Sequence, residues 1–191
     1  MRIIAGSRRG MRLDAPDGRK VRPTSGRARE ALMSILGGFF DGEQVLELCA
    51  GCGAIGLEMV SRGCGRAVLV ERDRGALEAI AANIARARFG AEVRVMSGDA
   101  LEAIDALASR AARFDYIFFD PPYDTDLHVS VLSKLAATSL LAGGGELIVQ
   151  SLNGLDEAQL GDDWHVVDRR RYGANAFDRL EPAGARTPES E

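Results

Sequence analysis

Cysteine is scarce in this chain, with three among 191 residues, at positions 49, 52 and 64. An odd and small number excludes a disulfide framework of the kind that staples small secreted domains, and points to a reducing, cytoplasmic setting. Histidine is scarcer still: His128 and His165 are the two present. Neither has metal-ligand spacing to a cysteine, so both read as surface or packing residues and no metal is expected. No run approaches the roughly 18 apolar residues needed to cross a membrane, and the start, Met1 to Gly6, lacks the apolar stretch of a secretory signal. No internal repeat is visible. What remains is enough apolar sequence for the core of one domain, with room for a small appendage.

Charge is unevenly spread. The net charge is −4, yet residues 1–29 hold nine Lys and Arg against Asp14 and Asp17, a balance of +7 that leaves −11 for the rest. A basic arm on an acidic body suits an anionic partner, although a solvated charged hairpin has the same composition.

The chain opens with two short candidate strands, Arg2–Ala5 and Met11–Asp14, around Gly6-Ser7-Arg8-Arg9-Gly10, with Pro16-Asp17-Gly18 as a turn. Thr24 or Ser25 can cap a helix that continues through Ala31, Leu32, Ile35 and Leu36. Arg22, Arg27 and Arg29 gather at its N-terminal end, where a positive side chain is a poor partner for the helix dipole, so an external anion is the expected counterpart. From Val45 onward strands alternate with amphipathic helices. Strands are expected over Val45–Cys49, Ala67–Glu71, Glu92–Met96, Tyr116–Asp120 and Glu146–Gln150, and helices over Ile55–Arg62, Arg74–Arg88, Ala100–Arg110 and Leu127–Ala137. This is the pattern of a doubly wound α/β domain with a mostly parallel sheet. After Gly143-Gly144-Gly145 the pattern changes, and Trp164–Arg169 with Ala174–Leu180 make an antiparallel C-terminal edge. The division expected is a hairpin-and-helix extension over 1–40, a catalytic domain over 41–181 and a polar, disordered tail over 182–191.

The chain is organised around V-L-E-L-C-A-G-C-G-A-I-G, Val45 to Gly56. A short apolar strand runs into Gly51, Gly53 and Gly56 and then a helix start, which exposes backbone N–H groups to a close-lying cofactor. The G-x-G-x-x-G spacing alone does not choose the cofactor. Glu47 does, because a carboxylate beside a pyrophosphate is unfavourable, whereas the sulfonium and ammonium of S-adenosylmethionine attract one directly or through water. S-adenosylmethionine is therefore the first reading and a nicotinamide cofactor the second. Glu71, ending the next strand, can accept the ribose hydroxyls. Asp99, in Gly98-Asp99-Ala100, can accept from an adenine amine or cap the helix behind it, or do both. The C-x-x-C of Cys49 and Cys52 lies inside the glycine turn, which argues against a thioredoxin-like role.

Asp120-Pro121-Pro122-Tyr123 follows an apolar strand and sits at a carboxyl end, where α/β ligands bind. An exocyclic base amine is a weak nucleophile because its lone pair is delocalised into the ring. The Asp120 carboxylate or the Pro121 carbonyl can hold its N–H bonds and turn the lone pair towards a methyl group, while Tyr123 stacks on the base.

These residues together resemble the bacterial small-subunit ribosomal RNA guanine-N2 methyltransferases of the RsmD type, over roughly residues 2–180. The marks are R-I-I-A-G (Arg2–Gly6), R-P-T-S-G-R-A-R-E (Arg22–Glu30), E-L-C-A-G-C-G-A-I-G-L-E (Glu47–Glu58), V-E-R-D (Val70–Asp73) and D-P-P-Y (Asp120–Tyr123). The resemblance implies a Rossmann-like class I fold and methyl transfer from S-adenosylmethionine to a guanine of 16S ribosomal RNA, in the small subunit or its assembly intermediate; the sequence leaves the oligomeric state open, with a monomer as the default. It assigns cofactor contact to Gly51, Gly53, Glu71, Asp99 and Asp120, with Glu47, Ala50, Gly56, Arg72 and Ala100 completing that set. Asp120, Pro121, Pro122 and Tyr123 would meet the guanine. Arg22, Thr24, Arg27 and Arg29, with Arg2, Arg8 and Arg9 of the basic arm, would lie near the RNA. The chain departs from the family pattern at Glu47, Cys52 and Gly26, where aspartate, serine and aspartate are usual. D-P-P-Y is shared with enzymes that methylate adenine N6 in DNA or other RNA, and a non-catalytic RNA-binding assembly factor would keep the same fold.

Overall fold

A computed structural model describes residues 1–16, 26–122, 127–173 and 175–185. Seven strands form one sheet: β1 (Gln44–Leu48), β2 (Arg66–Glu71), β3 (Val93–Ser97), β4 (Phe114–Phe119), β5 (Leu141–Leu152), β6 (Trp164–Tyr172) and β7 (Asn175–Pro182). Their order is β3-β2-β1-β4-β5-β7-β6, with β7 antiparallel to both of its neighbours and the other pairings parallel. Helices α1 (Gly26–Ile35), α2 (Ala54–Ser61), α3 (Arg74–Ala87), α4 (Ala100–Ala108), α5 (Leu127–Ala136) and α6 (Glu157–Leu160) complete the fold. The expected doubly wound sheet with an antiparallel edge is what forms.

Burial on both faces explains why the central strands read as largely apolar runs, with Glu47 in β1 and Asp115 in β4 as the interruptions. Phe118 and Phe119 point to opposite sides, as strand geometry requires. Phe118 belongs to the core that holds Leu32 and Met33 of α1, Ile55 and Leu57 of α2, and Ile80 of α3. Phe119 belongs to the core that holds Ile104 of α4, Val131 and Leu132 of α5, and Trp164 of β6. Among the described residues no helix is long and apolar enough to cross a membrane.

Two local expectations change. The N-terminal pair is a single bridge between Arg2 and Arg12 around a 3-10 turn at Gly6–Arg8, not two strands. The reason is competition: Ile4 and Ala5 donate their N–H groups to the buried carboxylate of Glu58, at 2.7 and 3.0 Å, which takes them out of any ladder. Ile3 and Leu13 still reach the core shared with Leu32, Val45 and Ile55. At the other end, β5 begins at Leu141 and runs through the three glycines that were expected to precede it. There the pairing with β4 shifts between Phe114 and Tyr116. A side chain at Gly145 would come within 2.9 Å of the Asp115 carbonyl, so the glycine permits this irregularity.

Candidate active site

The winding of the sheet reverses at β1, whose neighbours are β2 and β4, and the crevice at such a switch point is where α/β sheets bind ligands. The glycine turn leaves β1 at this point. Cys49, Gly51 and Gly53 take φ of 59°, 57° and 75°, and the turn is closed by Ala50 N–H to the Val70 carbonyl (2.9 Å) and Gly53 N–H to the Ala50 carbonyl (2.8 Å). Beside it, the Asp120 N–H donates to the Leu48 carbonyl at 3.4 Å. The turn after β1 and the Asp120-Pro121-Pro122 turn after β4 are therefore adjacent. Pro121 is buried and Pro122 exposed, while Tyr123 lies outside the described residues.

The glycines do different work. A side chain at Gly51 would meet nothing within 4 Å, so its backbone faces open space. One at Gly56 would lie 2.5 Å from Leu69 Cδ2 and 3.0 Å from Glu47 Oε2, so Gly56 lets α2 pack closely on the sheet.

Four carboxylates surround the turn. Glu71 ends β2 and is already engaged: Oε2 accepts from Gly51 N–H (2.7 Å), and Oε1 from Arg72 and Asp73 N–H (2.8 Å each). A carboxylate offers about four acceptor positions, so one is left for a hydroxyl, not two. Asp99 caps α4, its Oδ1 accepting from Leu101 N–H at 2.8 Å, while Oδ2 stands 3.6 Å from the exposed Arg72 guanidinium. Its capping reading is thus realised, with the second oxygen turned to Arg72. Buried Ala100 opens that helix. Glu47 is 3% exposed and turned to α2, accepting from Gly56 N–H (2.8 Å) and Ile55 N–H (3.4 Å). Burial pushes its pKa up to about 8, more than those two N–H groups pull it down, with the charges of Asp120 and Glu71 adding to the rise. Its charge is mostly absent at neutral pH, so Glu47 braces the turn from beneath by hydrogen bonding.

The thiols inside the turn are inert. Burial pushes Cys49 up to about 12, reinforced by the negative charges of Glu71 and Asp120, and burial likewise pushes Cys52 up to about 11. Thiolates are not available for disulfide exchange there.

The arginines divide sharply. Arg2, Arg9 and Arg27 are exposed. Arg8 is half-buried: its Nε donates to the Ala87 carbonyl at 2.6 Å and its guanidinium sits 5.2 Å from the centre of the Phe89 ring. Arg29 corrects the expectation of an external anion. It is 1% exposed, stands 3.7 Å from Glu58 Oε2 and donates to the Arg2 carbonyl. Its counterpart is internal, so Arg29 cannot face RNA. Arg22 and Thr24 lie outside the described residues.

Sequence reading missed the residues that hold the arm to the turn. Glu58, fully buried, joins Ile4, Ala5, Arg29 and Arg62, the last at 2.7 Å. Asn83 accepts from Asp14 N–H (2.8 Å) and donates to the Asp14 and Cys52 carbonyls (2.9 and 3.1 Å), tying the arm to the glycine turn. A polar residue amid the apolar neighbours Ile55, Leu57, Met59 and Val60 was the available sign for Glu58. Nothing local marks Asn83. A separate groove of about 770 Å³, lined by Leu155, Leu160, Trp164 and Arg169 among others, includes no residue of either turn.

Sheet order, glycine turn and acidic rim define the class I methyltransferase fold. A hypothetical protein of Thermus thermophilus superposes with a TM-score of 0.80 at 31% identity, over 95% of this chain and 99% of that one. The family model described as conserved hypothetical protein 95 matches residues 1–180. Ribosomal RNA small subunit methyltransferase D of Escherichia coli (strain K12) is 34% identical over 151 residues, 79% of this chain and 74% of the relative. The chain belongs to this family, that of the small-subunit ribosomal RNA methyltransferases D. At the level of fold alone, the likeness extends to a chain solved complexed with SAH, with a TM-score of 0.67 at 13% identity over 84% of this chain and 50% of that one.

Proposed function

We propose that this protein transfers a methyl group from S-adenosylmethionine to the exocyclic N2 amine of a guanine in 16S ribosomal RNA, within the small subunit or an assembly intermediate. The observation that carries the reading is the contact of the Asp120 turn with the glycine turn at the switch point. Family membership supports ribosomal RNA of the small subunit as the substrate.

The donor set fits the cofactor. The rim carries the carboxylates of Glu71, Asp99 and Asp120, which favour a cationic ligand and oppose a pyrophosphate. The open space over Gly51 leaves room for close approach of a ligand to the backbone. S-adenosylmethionine, when bound, supplies a methyl group activated by its positive sulfur. In this proposal Glu71 gives its remaining acceptor position to a ribose hydroxyl, and Arg72, Asp99 and Ala100 border the adenine. Ala50, Gly51 and Gly53 form the backbone floor, and Glu47 and Gly56 hold that floor on α2.

Asp120 and the Pro121 carbonyl accept the N–H bonds of the base amine. Holding both hydrogens favours a tetrahedral nitrogen with its lone pair directed at the methyl carbon. The amine would gain the methyl as the methyl–sulfur bond breaks, the electron pair staying on a neutral thioether sulfur, and the nitrogen would shed one proton to an acceptor in the turn or to water. Pro121 and Pro122 fix the turn so that little orientational freedom is left to lose. Tyr123 offers an aromatic face on which the base stacks.

The test is methyl transfer from labelled S-adenosylmethionine to small subunits from cells lacking this protein, followed by nucleoside analysis. Label in N2-methylguanosine is the expected result. Label in a methyladenosine keeps the chemistry and overturns the base assignment. Cofactor binding without transfer to any RNA makes the chain an assembly factor.

A further inference from the structure

The active edge of the sheet extends further than its two turns. Phe119 of β4 is level with Val149 of β5, Val149 with Asp178 of β7, and Asp178 with Arg169 of β6. The next row towards the carboxyl edge holds Gln150, Phe177 and Arg170, and it is the row to which Asp120 belongs by succession. One row further lie Ser151, Ala176 and Arg171, level with Pro121. β6 thus brings Arg170 and Arg171 to the same edge as the Asp120 turn, three strand spacings away, or about 14 Å across the sheet.

The three consecutive arginines are not equivalent. Arg169 is bound to the buried Asp178 carboxylate and to the Leu155 carbonyl, which uses its charge inside the fold. Arg170 pairs with Asp168 at 2.9 Å on an exposed face. Arg171 is exposed and donates to the Asn153 carbonyl at 3.1 Å; among the described residues it forms no ion pair, so its charge is not neutralised. Half-buried Tyr172 follows, its ring 5.9 Å from that of Phe177, and steadies the end of the strand.

Charge on an edge strand also blunts edge-to-edge pairing. That role is served by charge anywhere along β6, yet Trp164, His165, Val166 and Val167 leave its first half without a permanent charge. The arginines are concentrated in the half that reaches the active edge, in a body that is otherwise acidic. A planar guanidinium with free N–H groups matches phosphate oxygens in pairs.

We infer that Arg171, on the opposite side of β6 from the Asp168-paired Arg170, forms a phosphate-binding ledge for the RNA strand flanking the target base, an inference that rests on the proposed RNA substrate. The ledge lies on β6, and the basic N-terminal arm is a separate part of the chain.

The experiment compares wild type with Arg171→Glu and Arg171→Gln, reading methyl-transfer kinetics on small subunits and RNA binding across a salt series. Arg171→Glu is expected to raise KM for the subunit severalfold with kcat and cofactor affinity kept, and to reduce the salt slope of RNA binding by about one. Arg171→Gln should lose the same slope with a smaller rise in KM. A folded Arg171→Glu protein with wild-type KM and salt slope overturns the ledge. So does an Arg171→Gln protein that aggregates while binding RNA normally, which leaves edge protection as the only role. If wild type itself methylates no RNA, the functional reading fails first and the ledge falls with it; if wild type is active and the variants match it, the ledge alone fails.

Discussion

The Asp120 N–H meets the Leu48 carbonyl at 3.4 Å, and through this bond two motifs far apart in sequence become one site. Asp120 belongs to the turn that would hold the base, and Leu48 leads into the turn that would hold the cofactor. Their contact gives the first test. Asp120→Ala should lower the single-turnover rate of methyl transfer by about 10²-fold or more, in the range expected of a group positioned at the reacting atoms. Cofactor affinity, measured by titration calorimetry, should stay within a few-fold of wild type. Retention of full activity would remove Asp120 from the chemistry.

Arg29 and Glu58 form an ion pair closed off from water. Glu58 keeps Arg62 at 2.7 Å and two backbone N–H groups when Arg29 is removed, so Arg29→Ala should cost about 1.5–3 kcal/mol, the worth of one hydrogen-bonded charged partner, and less than the loss of every partner would. Urea denaturation of the two proteins measures this directly. Because the N-terminal arm is pinned by the same carboxylate, the variant should also become sensitive to proteolysis near residues 1–16.

Arg27, by contrast, is exposed on α1. Arg27→Glu should leave the denaturation midpoint unchanged and weaken binding to small-subunit RNA, with the salt slope reduced by about one. An unchanged slope would move the RNA surface away from α1.

Gly51 and Gly56 should respond differently to alanine. At Gly51 there is space but a φ of +57°, so Gly51→Ala strains the backbone by about 1–2 kcal/mol and should give a folded protein with weakened cofactor binding. At Gly56 the new methyl would collide with Leu69, and overpacking there should cost about 1–3 kcal/mol. Thermal denaturation and cofactor titration together separate the two effects.

Glu47 sets a pH dependence. Its carboxyl has an ordinary pKa of 4.5 and a folded value of about 8, so the folded chain binds the extra proton. Stability from this group is complete below pH 4.5 and is lost as pH rises through about 8. Glu47→Gln keeps an acceptor for Gly56 N–H and should flatten that decline, making the variant relatively more stable at pH 8 than at pH 5. His128 acts in the opposite sense, because burial holds its pKa below 6.5, so the difference between the two proteins carries the test. Equal pH profiles would mean that Glu47 titrates normally.

The strand-and-helix alternation from Val45 onward could be read directly because β1, β2 and β4 are buried on both faces and leave largely apolar runs. The glycine spacing and D-P-P-Y were likewise visible, since each encodes a turn in its own few residues. Reading failed where a side chain chose between partners. Nothing in R-A-R-E distinguishes exposed Arg27 from buried Arg29, because the choice depends on Glu58 lying opposite. The three glycines before Glu146 looked like a break, and they are the bulge that lets β5 pair with β4.

The sequence by itself determined the order of the elements, the turn types and the family, since these rest on local geometry and on short motifs. Tertiary structure decided what each charge does. A carboxylate or guanidinium has its role set by how much water it loses and which dipoles face it. These quantities turned Glu47 into a brace, spent most of Glu71 on the turn, hid Arg29, and left Arg171 charged at the active edge.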